Sequence, residues 1–171
     1  MAVSPSGQHA PDLIARTRLY LDTSILGATV DPGPLDRVAA TRRLLSELAA
    51  SKWDGFISTV VLTEIDSAAE PIRLRIAAEL ARVPLVVLEE TAESIELART
   101  YVAAGAIPVN AENDARHIAI AAVNDVRIVV SWNFRHMVNI ERKRRINSVN
   151  LAEGLSLLDI VSPWEVTSGE A

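Results

Sequence analysis

The chain has 171 residues, enough for one domain with a substantial hydrophobic core and too few for a second catalytic domain. Hydrophobic residues make up 49 % and charged residues 23 %, which excludes a disordered chain, and the net charge of −5 excludes a uniformly basic nucleic-acid coat. The absence of cysteine excludes disulfides, thiolate zinc sites and cysteine nucleophiles. Because no segment resembles a secretion signal or a membrane span, we expect a soluble cytoplasmic protein with no membrane partner.

Short runs of β-branched and other apolar residues recur along the chain after a Ser-, Pro- and Gly-containing tail at 1–16. Each run is four to seven residues long and ends at polar residues, as strands of a buried sheet do. The first one ends at Asp22, where Thr23 and Ser24 predict a polar turn. In chain order the predicted strands are Arg18–Leu21, 55–58, Leu85–Leu88, 126–130 and a last strand near 155–161.

Between the predicted strands, apolar residues recur at helical spacing. Pro71 favours the first turn of one of these helices, and Gly105 is placed to end another. The predicted helices are 35–51, 59–65, 71–83, 91–104 and 112–123. Strands that alternate with helices predict an α/β domain with a mostly parallel sheet of about five strands, spanning 17–166 and followed by a short tail at 167–171.

Several polar side chains follow directly after predicted strands, where the functional crevice of an open α/β sheet lies. Asp22 follows the first strand, Glu64 lies shortly after the second, and Ser131 and Asn133 follow the strand at 126–130. Asp114 lies at the start of a helix that should face the same edge. If the three carboxylates meet, a counter-cation is needed to keep them ionised, and hard oxygen ligands suit Mg²⁺ or Mn²⁺.

Each of these residues also has a purely structural interpretation. An Asp or Glu in the first turns of a helix is stabilised by the helix dipole and often has no other role. His117 has no second histidine at ligand spacing, so a core or supporting role is favoured over a metal ligand. Trp132 could stack on a base, although a packed tryptophan is the commoner case.

A basic segment follows the last of these candidates. Residues 135–145 contain five Arg or Lys and a single Glu, so an acidic protein has a local surface that could bind the phosphates of RNA, with a solvated helix face as the alternative. The candidate RNA-binding residues are Arg135, His136, Arg142, Lys143, Arg144 and Arg145.

Four motifs occur in an order and spacing that together resemble the PIN-domain family of metal-dependent ribonucleases, which includes the VapC-like toxins. They are RLYLDTS, VVLTEI, NDARHIAIAA and VRIVVSWNFRHM, and the likeness covers residues 18–164. The resemblance implies a three-layer α/β/α domain that hydrolyses RNA with Mg²⁺ or Mn²⁺, forms a homodimer and has an antitoxin protein as a partner.

The resemblance also implies roles for individual residues. Asp22, Glu64 and Asp114 match the acids that coordinate the metal and orient the attacking water, and Ser24 and Ser131 match positions where a hydroxyl supports the site. At the fourth acidic position this chain has Asn133, whose amide oxygen can bind a metal or a coordinated water but brings no charge. That departure should weaken a second metal site most.

Three functions therefore compete. The first is an endoribonuclease, in the context of a toxin–antitoxin pair, with Asp22, Glu64, Asp114 and Asn133 as its catalytic set. The second, favoured by Asn133, is a catalytically weakened RNA-binding or regulatory module. The third is a phosphoryl-transfer domain of the receiver or haloacid-dehalogenase type, which ranks low because Ser24 stands where a second acid is expected and no Gly-rich phosphate loop is present.

Overall fold

Strands and helices alternate along the chain in a computed structural model that describes residues 15–30, 33–135 and 137–168. The strands are β1 (Arg18–Leu21), β2 (Asp54–Ser58), β3 (Leu85–Leu88), β4 (Ile128–Val130) and β5 (Asp159–Val161). The helices are α1 (Thr23–Gly27), α2 (Leu35–Ala49), α3 (Thr59–Asp66), α4 (Glu70–Leu80), α5 (Ala92–Ala103), α6 (Glu112–Val123), α7 (Ile140–Ala152) and α8 (Pro163–Thr167), with a 3₁₀ turn at Val109–Ala111. The predicted tails at 1–16 and 167–171 fall largely outside the described residues, so the domain limits stay a prediction.

The five strands form one sheet in the order β3-β2-β1-β4-β5, and all of their pairings are parallel. The central strand β1 pairs with β2 on one side, where Tyr20 is in register with Phe56, and with β4 on the other, where Tyr20 is in register with Val129. The predicted α/β class with a mostly parallel sheet of about five strands is confirmed.

Both faces of the sheet are covered, because side chains of each strand alternate between two hydrophobic layers. Tyr20 packs with α5, α6 and α7 on one face, whereas Leu19 and Leu21 pack with α2, α3 and α4 on the other. These three residues of β1 are each at most 1 % exposed, so the middle of the sheet is fully buried.

Three helices were not predicted from the sequence. The polar residues after β1 form the short helix α1, with Asp22 as its N-cap, where the spacing predicted only a turn. Residues 140–145 of the basic segment belong to α7, whose polar composition masks its helical spacing and whose N-cap is Asn139. Helix α8 begins at Pro163 with a capping box between Ser162 and Glu165.

The parallel sheet places the carboxyl ends of all five strands at one edge, which is referred to below as the carboxyl edge. Helices that run back across the sheet begin at this edge, so the first turn of α6 lies near the ends of β1 and β4. Gly105 has a φ of 67°, a conformation that favours glycine, and it follows the end of α5 as predicted. Within the described residues, no helix is both long enough and apolar enough to span a bilayer.

Candidate active site

The carboxyl edge contains an open cleft of about 510 Å³ that brings the predicted acids together. Asp22 comes from the end of β1, Glu64 from α3, Asp114 from the first turn of α6, and Asn133 from the loop after β4. The other residues that line the cleft are Thr23, Ser24, Ser67, Asn113 and His117. Residues that are 111 positions apart in the chain therefore share one small surface.

Asp22 is the most deeply buried of the three acids, with 4 % of the residue exposed. Its Oδ1 accepts the hydroxyl proton of Ser24 at 2.5 Å and the backbone N–H of Ser24 at 3.1 Å. Its Oδ2 accepts the hydroxyl of Ser131 at 2.7 Å. Burial raises the pKa of Asp22, and the neighbouring His117 and the two serine hydroxyls offset part of that shift. The predicted supporting residues Ser24 and Ser131 therefore both contact the carboxylate.

Glu64 lies in the same cleft in a different electrostatic environment. Its Oε2 accepts hydrogen bonds from the Thr23 hydroxyl and from Nε2 of His117 at 3.1 Å, and its Oε1 accepts from Nδ2 of Asn113 at 2.7 Å. Burial alone would raise the pKa of Glu64, but the hydrogen bonds from His117 and Thr23 outweigh it, and the pKa lies below its ordinary value. The ionised carboxylate is thus already stabilised by the protein.

A buried hydrogen-bond chain supports His117 from the side away from the cleft. Ionised Glu64 has no proton to give, so Nε2 of His117 donates the hydrogen bond between them. The Tyr20 hydroxyl lies 2.8 Å from Nδ1 of His117 and 2.7 Å from the Ser58 hydroxyl, within hydrogen-bond distance of both. The backbone N–H of Val61 donates to Ser58 Oγ at 3.4 Å. These contacts restrain the orientation of the imidazole.

An ion pair between Arg116 and Glu90 orients Asn113, which contacts the other oxygen of Glu64. Arg116 binds Glu90 with two hydrogen bonds of 2.6 and 2.7 Å, which lower the pKa of Glu90 and raise the pKa of Arg116. The same guanidinium donates to Oδ1 of Asn113 at 3.1 Å. Because that oxygen is the acceptor, the Nδ2 amide group of Asn113 is the one that points to Glu64.

Asp114 and Asn133 form the remaining wall of the cleft. Nδ2 of Asn133 donates to Oδ2 of Asp114 at 2.9 Å, and the backbone N–H of Asn133 donates to the Ser131 hydroxyl at 2.9 Å. Ser131 therefore links Asn133 to Asp22. Asn133, which stands at the fourth acidic position, is neutral and donates to Asp114. A carboxylate at the same position would repel that of Asp114.

The donor chemistry of the cleft fits a hard divalent cation. The cleft is lined by the carboxylates of Asp22, Glu64 and Asp114 and by the amide of Asn133. A cation bound there would favour the ionised form of the buried Asp22. Within the part of the chain that the structure describes, no three acidic or histidine side chains lie close enough to form a ready-made metal cluster. Mg²⁺ commonly needs only one or two carboxylates and keeps its waters, so the residues present fit it.

The predicted RNA-binding residues of α7 all have partners inside the fold. Arg142 and Arg145 donate to the carbonyls of Ala106 and Gly105 after α5 at 3.2 and 3.3 Å. Lys143 pairs with Asp159 at 2.8 Å, and Arg144 lies 3.8 Å from Glu141. Arg135 is exposed in the loop after β4, and His136 lies outside the described residues. A role of these residues in RNA binding stays a prediction.

Four residues near the acids were not assigned a site role from the sequence. Thr23 and Asn113 each adjoin a predicted acid in the chain, and that adjacency was the only available signal. Tyr20 and Arg116 act on Glu64 through His117 and Asn113, which only the tertiary fold brings together. Trp132 is 5 % exposed and packs into the protein, as the commoner case predicted.

The solved structures that are similar to this chain include two from toxin–antitoxin systems. VapBC2 from Rickettsia felis, bound to a DNA fragment from its promoter, matches with a TM-score of 0.57 and 18 % identity over 85 % of this chain and 98 % of the matched chain. VapC20 from Mycobacterium tuberculosis, a toxin that cleaves the sarcin–ricin loop, matches with a TM-score of 0.48 and 21 % identity over 65 % and 86 % of the two chains. No protein-family model and no curated relative matches the sequence.

The fold is therefore similar to the PIN-domain fold of VapC toxins, and the resemblance predicted from the four motifs is confirmed at the level of the fold.

Proposed function

We propose that this chain is a metal-dependent endoribonuclease and the toxin of a type II toxin–antitoxin pair. The observation that supports the proposal is the meeting of Asp22, Glu64 and Asp114 in one cleft at the carboxyl edge, although they come from three distant segments. The parallel sheet brings the strand ends to this edge, but the fold does not require that three of the side chains there be carboxylates.

Asp22, Glu64 and Asp114 are the residues that would hold Mg²⁺ or Mn²⁺, directly or through water, with Asn133 as a neutral oxygen donor. Such a cation polarises a phosphodiester, lowers the pKa of bound water and stabilises the leaving oxygen. The protein contributes orientation: Ser24 and Ser131 fix both oxygens of Asp22.

Glu64 is suited to orient an attacking water because its carboxylate stays ionised and is restrained by three donors. The hydrogen bonds from His117 and Asn113 fix the plane of the carboxylate, and the cleft is open enough for a polynucleotide backbone to enter. Positioning of this kind is a large part of how enzymes lower the barrier for attack on a phosphodiester.

The decisive experiment compares Asp22→Asn with the wild type in cleavage of a labelled RNA in the presence of Mn²⁺ or Mg²⁺. The amide keeps the N-cap of α1 and the approximate shape of the side chain but removes the charge. We expect cleavage to fall by roughly 100-fold or more.

Asp54→Asn serves as the matched control. Asp54 begins β2 at the opposite edge of the sheet and pairs with Arg16 at 3.3 Å, so its loss of charge should leave cleavage unchanged. RNA cleavage that is equal in the wild type and in Asp22→Asn would refute the proposed nuclease.

The proposal extends to partners. A toxin of this type requires an antitoxin, and co-expression with the product of an adjacent small reading frame should relieve growth inhibition and yield a complex that copurifies. The expected homodimer is checked by sedimentation equilibrium of the isolated chain. The expected cytoplasmic location is checked by cell fractionation.

A second candidate function is a catalytically weakened RNA-binding module, and Asn133 is the observation that favours it. Its amide donates to Asp114 and supplies no charge at the fourth acidic position. This alternative predicts RNA binding that weakens with salt and no product with either metal. The same cleavage assay separates the two functions.

A further inference from the structure

An aromatic cluster of three rings lies beside the candidate cleft: Trp132, Phe134 and Trp164. The rings of Trp132 and Trp164 meet edge to face with centroids 4.7 Å apart, and Phe134 stacks near-parallel to Trp164 at 6.0 Å and 27°. Trp132 is buried, but Phe134 is 47 % and Trp164 41 % exposed. Two large aromatic rings therefore remain open to solvent, in a protein with only seven aromatic Phe, Trp and Tyr residues.

The aromatic cluster is directly connected to the acidic cleft. Asn133, which lines the cleft, lies between Trp132 and Phe134 in the chain. The Ser24 hydroxyl that donates to Asp22 also accepts the backbone N–H of Trp132 at 2.8 Å. Trp164 follows the end of β5, at the same carboxyl edge.

Hydrogen bonds restrain Trp132 and the first turn of the helix that carries Trp164. Nε1 of Trp132 donates to Thr41 Oγ1 on α2 at 2.9 Å, and the capping box of Ser162 and Glu165 fixes the first turn of α8, where Trp164 lies. A restrained ring loses little side-chain freedom when a planar ligand stacks on it, which favours binding.

A cation accompanies the rings. The guanidinium of Arg37 on α2 lies over the Trp132 ring, 5.2 Å from its centroid. Nε of Arg37 is buried without a hydrogen-bond partner, which holds for no other side-chain nitrogen or oxygen in the described ranges. Arg37 as a whole is partly exposed, so its guanidinium can bind an anionic oxygen from solution.

We infer that Phe134, Trp164 and Arg37 form a binding subsite for an unpaired nucleotide of RNA. The base stacks on the exposed rings, Arg37 binds a flanking phosphate, and the acidic cleft lies next to the adjoining phosphodiester. The rings, Arg37 and the cleft thus match the base, a flanking phosphate and the phosphodiester to be cut. Because a base within a duplex is already stacked on both faces, the subsite selects RNA that is unpaired beside the bond to be cut. The inference rests on the proposed function and adds to it the residues that bind a base beside the cleft.

The test measures binding without cleavage. Anisotropy of a labelled oligouridylate is titrated in EDTA with the wild type, Phe134→Leu, Trp164→Leu and the control Trp53→Phe. Loss of a stacking ring should weaken binding roughly 5- to 100-fold in each leucine variant. Trp53 lies just before β2 at the opposite edge of the sheet, so its variant should bind like the wild type. A fully paired RNA duplex should bind all four proteins equally.

Charge is tested separately with Arg37→Gln. The slope of log affinity against log salt should decrease by about 0.7, the value for one phosphate contact on a single strand. Arg43→Gln is the matched control on the same helix, since Arg43 is exposed and paired with Glu47 at 3.1 Å.

Equal affinity of wild type, Phe134→Leu and Trp164→Leu for the single strand would overturn the subsite, whatever the cleavage assay shows. A change in oligomeric state in these variants, with unchanged RNA affinity, would likewise overturn it and assign the rings to a protein contact. Ring-dependent binding without cleavage in Mn²⁺ would support the subsite and refute only the proposed catalytic activity.

Discussion

Asp22 and Glu64 share one cleft, yet their surroundings shift the pKa values of the two carboxyl groups in opposite directions. Asp22 is buried among neutral serine hydroxyls, and its pKa is raised. Glu64 is held by Thr23 and His117, and its pKa is lowered. The fold therefore supplies the partners of one acid and leaves the charge of the other only partly compensated.

This difference indicates which acid depends more on a cation. Ionisation of Asp22 opposes folding, because burial penalises the charge, and a bound divalent ion would relieve that penalty. Ionisation of Glu64 favours folding even without an ion. A metal should consequently change the energetics of Asp22 more than those of Glu64.

The largest expected effect is metal-dependent stabilisation. Mn²⁺ at about 100 times its dissociation constant should raise the free energy of unfolding of the wild type by about 2.7 kcal/mol, measured by urea denaturation at pH 7. Asp22→Asn should lose most of this gain and should be at least as stable as the wild type in EDTA. A wild type that gains no stability from Mn²⁺ or Mg²⁺ would contradict the inferred dependence of Asp22 on a cation.

Glu64→Gln should produce the opposite pattern in EDTA. We expect the free energy of unfolding to fall by about 1 to 2 kcal/mol at pH 7, because hydrogen bonds from His117 and Asn113 to a charge are weakened. Since the pKa of Glu64 is lowered in the folded state, its contribution is complete above the ordinary Glu value and is lost as the pH falls through the folded value. The difference in the free energy of unfolding between variant and wild type should therefore be larger at pH 7 than at pH 3, as measured by denaturation curves.

The matched control for this pattern is Asp66→Asn. Asp66 is exposed on the same helix α3, two residues after Glu64, so its substitution should change the free energy of unfolding little at either pH. A similar loss in both variants would assign the effect to helix α3 and not to the cleft.

The smallest expected effect concerns Asn133, which forms one wall of the cleft with Asp114. Asn133→Asp should lower the free energy of unfolding by about 1 kcal/mol in EDTA, because it replaces the amide donor to Asp114 with a like charge. The same variant should bind Mn²⁺ more tightly by isothermal titration calorimetry. Unchanged stability and unchanged Mn²⁺ affinity would show that position 133 does not share the electrostatics of the cleft.

Much of this arrangement follows from local sequence. Strands β1 and β2 are short apolar runs that end in Asp22 and Ser58, residues that cap the next helix, so both strand ends are visible in the chain. The parallel order then predicts that these ends meet at one edge. The sequence therefore predicts the fold class and places the three acids where they could meet.

The partners of each acid could not be predicted in the same way. The contacts of Tyr20 with His117 and of Arg116 with Glu90 link residues 97 and 26 positions apart, and their geometry depends on how α6 packs on the sheet. Helix α7 was missed because its buried residues are few and its charges dominate the composition. Burial raises the pKa of Asp22, and hydrogen bonds from His117 and Thr23 lower that of Glu64, so both shifts depend on the tertiary fold.

The central position of β1 ties the integrity of the core to that of the cleft. Its three consecutive residues Leu19, Tyr20 and Leu21 alternate between the two hydrophobic layers, and Asp22 follows without a spacer. A single-residue insertion or deletion in this strand would exchange the faces and turn the Tyr20 hydroxyl away from His117. It would also displace Asp22 from its serines, so neither the interior nor the cleft could be altered here without the other.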